Sequence, residues 1–148
     1  MRVVLVGSGG REAALAWRIV KSPQLTALTV TGDNPGWPEG VTVAAASTPE
    51  QIVAVARAAS ADLAVVGPEA PLAAGAADAL IAAGIPCFGP QREAARLESS
   101  KAFAKEIMQA TGVDTAAALV VDRSDPTSVA AARERCARGR VRFRYPRD

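Results

Sequence analysis

The sequence predicts a three-layer α/β fold, a parallel sheet with helices on both faces. Short apolar runs alternate with segments of helical period, and several of the runs stop at a glycine where the chain passes into a helix. The first run, "VVLV" at 3 to 6, is apolar without alternation, the pattern of a strand covered on both sides.

Taken in order, Val3 to Val6 is the first strand and ends at Gly7. The helix from Arg11 to Lys21 follows, with Ala14, Leu15, Trp17, Ile19 and Val20 clustered on one face and Ser22-Pro23 as its stop. Leu25 to Thr31 is β-branched and strand-like, and runs into the turn formers Gly32-Asp33-Asn34-Pro35-Gly36. A short third strand is expected at Val41 to Ala44. Thr48-Pro49-Glu50-Gln51 then starts a helix reaching about Ala59, with Thr48 as N-cap, proline at the first position and Gln51 completing a capping box. Asp62 to Val66 repeats the opening pattern and stops at Gly67-Pro68-Glu69. A helix from Leu72 to Ala83 ends at Gly84, and Ile85 to Phe88 is a fifth strand. Right-handed crossovers make this a Rossmann-like sheet of order 3-2-1-4-5. Its ligand crevice lies between strands 1 and 4, where the winding reverses.

After Pro90 the pattern changes. Helices are expected at Gln91 to Leu97 and at Ser99 to Ala110, with Gly112 as a stop, followed by a strand at Ala116 to Val121 and a helix from Pro126 to about Arg138. The expected organisation is a domain over 1–98, an incomplete second unit over 99–138 and a basic tail over 139–148.

Charge and composition exclude several classes of function. Of the 17 basic and 15 acidic residues, seven arginines lie between 133 and 148 against Glu134 and Asp148, so the rest of the chain is mildly acidic. A basic tail on an acidic body gives little support to nucleic-acid binding. Cys87 and Cys136 stand apart, and the chain has no histidine, which argues against zinc, against a disulfide and for a reducing cytoplasm. A strand beginning so close to Met1 leaves no room for a leader, and no apolar run approaches the roughly 20 residues that span a bilayer.

Two loops carry the chemistry. In Gly7-Ser8-Gly9-Gly10-Arg11-Glu12, glycines let backbone N–H groups approach an anion at a helix N-terminus, and Arg11 adds a bidentate guanidinium. A dinucleotide loop would carry its third glycine at position 12, where this chain has a glutamate that would repel a pyrophosphate. A phosphomonoester fits better, although Asp33 stands about where a dinucleotide fold places its ribose-binding acid. In Gly67-Pro68-Glu69-Ala70-Pro71-Leu72, two prolines frame one carboxylate at the end of strand 4. Lys101 sits at the head of a helix after Ser99-Ser100.

The blocks "VLVGSGGREAALAW" at 4 to 17, "VTGDNPGW" at 30 to 37, "DLAVVGPEAPLAAG" at 62 to 75 and "CFGPQREAARLESSKAF" at 87 to 103 resemble the amino-terminal part of the phosphoribosylamine–glycine ligase family. The resemblance implies a pre-ATP-grasp domain in an enzyme of purine biosynthesis. ATP, with magnesium, phosphorylates the glycine carboxylate, and the amine of 5-phosphoribosylamine attacks the acyl phosphate. It also implies that Gly7, Gly9, Gly10 and Arg11 hold the 5-phosphate, that Asn34 and Glu69 help hold the ribose and amine, and that Lys101 reaches ATP phosphates. No metal ligand is carried over.

The chain departs from that pattern at three places. Ala13 stands where the family has histidine, and Asp33 where it usually has glycine. The sequence after about 138 matches neither the family's lid nor its metal ligands, so the expectation is a chain truncated or shifted in reading frame there and inactive by itself. A complementing ATP-grasp polypeptide is a possible partner. The alternatives from the residues are a stand-alone phosphosugar-binding module and an NAD(P)-binding oxidoreductase fragment.

Overall fold

The computed structural model describes residues 1–116 and 118–138, so the basic tail expected over 139–148 lies outside the described residues. Five strands form one parallel sheet: β1 (Arg2–Val6), β2 (Ala27–Thr31), β3 (Thr42–Ala44), β4 (Leu63–Val66) and β5 (Cys87–Phe88). Their order is β3-β2-β1-β4-β5, as the sequence predicts.

The central strand explains its own composition. Val4 and Val6 of β1 point into a core with Ile52, Ala56, Leu72, Ala76, Ala77 and Leu80, while Val3 and Leu5 point into a second core with Ala16, Leu28 and Val30. Side chains alternate between faces along a strand, so a strand with a core on each side must be apolar at every position. The second core lies under α1 (Gly10–Ile19), and the first under α2 (Pro49–Ala58) and α4 (Ala76–Ala82).

The start of α2 follows its sequence signal. Thr48 Oγ1 accepts from the Gln51 N–H at 3.3 Å, and Gln51 Oε1 accepts from the N–H groups of Thr48 and Ser47. The helix expected from Leu72 to Ala83 is instead two helices, α3 (Glu69–Ala74) and α4, separated by Gly75 at φ +97. Pro71 falls in the first turn of α3, where a missing N–H costs nothing. The break is held by Arg92, at the head of α5 (Arg92–Ser99): its Nη2 donates to the Ala74 carbonyl at 2.6 Å and its N–H to Asp78 Oδ2 at 2.8 Å. A Cβ at position 75 would lie 2.6 Å from Arg92 Nη2, so glycine is required there by contact as well as by conformation.

The chain divides into two compact units, Met1–Ser99 and a second beginning at Ser100. In the second unit, α6 (Lys101–Ala110) is capped by Ser100 Oγ, which accepts from the Phe103 N–H. Asp125 caps α7 (Pro126–Ala137), with Pro126 as its first residue. The strand expected at Ala116 to Val121 does not form among the described residues. A strand needs a neighbour to pair with, and the described part of this unit holds none. Lys105 instead ties the start of the segment to α6 by donating to Thr115 Oγ1 and to the Ala116 carbonyl. No helix among the described residues is long and apolar enough to cross a membrane.

Candidate functional site at the sheet switch point

Parallel register aligns Val6 of β1 with Val66 of β4, so both strands deliver a glycine, Gly7 and Gly67, to the same edge of the sheet. The two loops touch. A Cβ on Gly7 would lie 2.7 Å from Pro68 Cδ, and Gly7 already sits at φ +113. Gly7 donates its N–H to Thr31 Oγ1 at 2.9 Å, and the buried Thr31 ends β2, so three strand ends are linked at this point.

The loop after β2 braces the glycine loop from outside. Asn34 Nδ2 donates to the carbonyls of Ser8 and Gly9 at 2.7 and 3.2 Å, while its Oδ1 accepts from the Gly36 N–H at 2.7 Å. The Asn34 amide, expected to hold ribose and amine, is thus committed to the loop. Trp37 Nε1 donates to the Gly32 carbonyl, fixing the turn that carries Asn34. Ala13, in the position of the family histidine, is 3.5 Å from where a Cβ on Gly36 would stand, and Asp33 is exposed.

Arg11 and Glu69, on the two loops expected to face each other, meet across the switch point with Arg11 Nη2 3.8 Å from Glu69 Oε2. Glu69 is the first residue of α3, where the helix dipole favours a carboxylate. Arg11 Nε is also 3.4 Å from Glu12 Oε1. One guanidinium therefore lies between two carboxylates, and this cluster is formally negative by one charge.

Glu12 is the residue that sequence reasoning undervalued, having treated it as a missing glycine and a charge that repels pyrophosphate but not as a helix cap. It is 3% exposed and lies between the loops. Its Oε2 accepts from the Gly9 N–H at 2.8 Å, leaving Oε1 buried without a hydrogen-bond partner. Gly9 is the N-cap of α1 and Glu12 its third residue, the spacing of the carboxylate half of a capping box, so the signal was present in the sequence. The N–H groups of Gly7 and Gly9 thus point to internal acceptors. Anion donors left on the loop include the first-turn N–H groups at Gly10 and Arg11, which have no acceptor within the helix, and the half-exposed guanidinium.

The remaining features lie elsewhere. Lys101 is the exposed first residue of α6 in the second unit. An apolar cavity of about 150 Å³ sits at the opposite edge of the sheet, among Met1, Val3, Leu25, Leu63 and Val65. Burial, and secondarily the charge of Asp78, pushes the Cys87 thiol above its ordinary range, which disfavours the thiolate.

A glycine loop opening a helix, set against a framed carboxylate at the reversal of a five-stranded parallel sheet, defines a doubly wound α/β domain. The family model described as phosphoribosylglycinamide synthetase, N domain, matches residues 1–98. The chain belongs to that family. It is 49% identical over 127 residues to the phosphoribosylamine–glycine ligase of Mycobacterium tuberculosis (strain H37Rv), which covers 82% of this chain and 29% of the relative. It is 46% identical over 132 residues to that of Phenylobacterium zucineum, covering 88% of this chain and 31% of the relative. The chain therefore spans about a third or less of the curated relatives it matches.

Among solved structures, a biotin carboxylase domain of a single-chain bacterial carboxylase aligns with TM-score 0.61 and 18% identity, over 94% of this chain and 35% of that one. A structure described as glycinamide-RNase-transformylase T from Mycobacterium tuberculosis aligns with TM-score 0.55 and 22% identity, over 79% and 37%. At these identities the likeness is one of fold.

Proposed function

We propose that this chain is the amino-terminal, 5-phosphoribosylamine-binding part of an ATP-dependent ligase that joins glycine to 5-phosphoribosylamine in purine biosynthesis. The reading is carried by the meeting of Arg11 with Glu69 at the switch point of a domain whose family is phosphoribosylglycinamide synthetase. The phosphate end of the ligand lies at the mouth of the crevice, against the Gly10 and Arg11 N–H groups and the Arg11 guanidinium. Phosphate there gains the helix N-terminus and a charge-assisted pair. The ribose hydroxyls and amine lie inward, toward Glu69. Gly7, Gly9 and Asn34 serve the substrate indirectly, by holding the loop in shape through the bonds described above.

Catalysis belongs to the part of the relatives that this chain does not span. Among the described residues no group of three or more His, Cys, Asp or Glu comes together to hold a metal ion. No metal ligand is assigned among them, and the role assigned to these residues is binding. A contact from Lys101 to ATP phosphates rests on the family resemblance alone.

Ribose 5-phosphate, a stable analogue, tests the reading. It is expected to raise the unfolding temperature of the chain in a concentration-dependent way. Arg11→Ala should weaken the apparent affinity by about tenfold or more, as expected for loss of a charge-assisted contact. Equal shifts for both proteins would remove Arg11 from the site.

A further inference from the structure

The buried carboxylate of Glu12 has a use beyond capping. A glycine loop at a helix N-terminus ordinarily offers its N–H groups to a bound anion, and here one of them, Gly9, is already given to Glu12 Oε2. The surrounding glycines fit Glu12 closely. A Cβ on Gly67 would lie 2.3 Å from Oε1, one on Gly9 2.7 Å from Oε2, and one on Gly7 2.9 Å from Cγ. All three glycines make room for this side chain and its charge.

The second observation is Oε1 itself. It is buried and has no hydrogen-bond partner. The nearest cation, Arg11 Nε at 3.4 Å, forms an ion pair without a hydrogen bond, and the Arg11 side chain is 59% exposed. An unsatisfied buried carboxylate oxygen is costly, and it is relieved by any donor that reaches it. Arg11 is also paired with Glu69, so a phosphate that draws the guanidinium outward uncovers Oε1 from that side.

We propose that Glu12 is a specificity-determining residue of the switch-point crevice, whose orphaned oxygen receives a hydroxyl or amine donor of the ligand and whose charge excludes a pyrophosphate from the glycine loop. The donor half of this statement rests on the phosphoribosylamine reading above. The exclusion half does not. The crevice is thus polarised, with phosphate at the mouth and hydrogen-bond donors inside.

The test uses the whole chain and two probes, ribose 5-phosphate and inorganic pyrophosphate, read by thermal shift and calorimetric titration with the wild type and Glu12→Gln. The wild type is expected to bind ribose 5-phosphate and not pyrophosphate. Glu12→Gln, which can still accept from Gly9 but presents an NH₂ where Oε1 stood, should bind ribose 5-phosphate at least tenfold more weakly and gain measurable pyrophosphate binding. Pyrophosphate binding by the wild type as tight as that of ribose 5-phosphate overturns the proposal, as does a Glu12→Gln protein unchanged toward both probes. If the wild type binds neither probe, the phosphoribosylamine reading fails, and pyrophosphate binding by Glu12→Gln alone still decides the exclusion. Should Glu12→Gln fail to fold by circular dichroism, Glu12→Asp replaces it: the charge is kept and the reach shortened. That variant should refuse pyrophosphate and lose ribose 5-phosphate affinity, and unchanged ribose 5-phosphate affinity would overturn the assignment.

Discussion

Gly67 has no space for a side chain, because Glu12 Oε1, Cδ and Cγ all lie within 2.8 Å of where its Cβ would stand. Gly67→Ala must therefore displace a buried carboxylate from its bond to Gly9 or push apart two strand ends. Overpacking of this kind costs about 1–3 kcal/mol, and urea unfolding of the variant should show a lowered midpoint. Gly10→Ala is the control: a Cβ there meets nothing within 4 Å, so the stability loss should be much smaller. The meeting of the Arg11 and Glu69 loops was legible in the sequence because it follows from the sheet order. The use of the Asn34 amide was not, since a turn-forming asparagine reads the same whether its side chain faces a ligand or bonds to the backbone of a loop 25 residues away.

At the scale of elements, the amino ends of β1 and β4 are joined by Asp62. Its Oδ2 accepts from the Arg2 N–H at 2.6 Å, the Asp62 N–H donates to the Arg2 carbonyl, and the Arg2 guanidinium is 3.7 Å away. The bond from the Arg2 backbone, more than the guanidinium charge, holds the Asp62 carboxyl below its ordinary value. A carboxyl whose folded pKa is lowered adds stability that is fully present above the unfolded pKa of about 3.9 and is lost as pH falls through the folded value. Unfolding followed from pH 6 down to pH 2 should therefore show Asp62→Asn losing less stability than the wild type. Identical pH profiles would mean that this junction contributes nothing. The start of α2 was legible because capping is local, as at Thr48. The division of the helix at Gly75 was not, because Arg92 from a later element takes the carbonyl that the break frees. The strand expected at 116 to 121 erred for a related reason: apolar, β-branched residues state a preference, and pairing depends on a neighbour.

For the whole molecule, the chain matches curated ligases over less than a third of their length, and the binding role proposed above covers only the sugar phosphate amine, the reactant of the second step. Purified chain supplied with ATP, magnesium, glycine and freshly generated 5-phosphoribosylamine should form no glycinamide ribonucleotide, and turnover in that assay would overturn the assignment of catalysis to the unspanned part. By itself the sequence determined the sheet order, the point where its winding reverses and the family, because apolar periodicity, glycine stops and short motifs are properties of neighbouring residues. Only the tertiary structure decided which groups the crevice leaves for a ligand. Thr31 satisfies Gly7 and Asn34 closes on the loop, and both depend on which strand ends the parallel register brings side by side, whereas the bond from Gly9 to Glu12 is local.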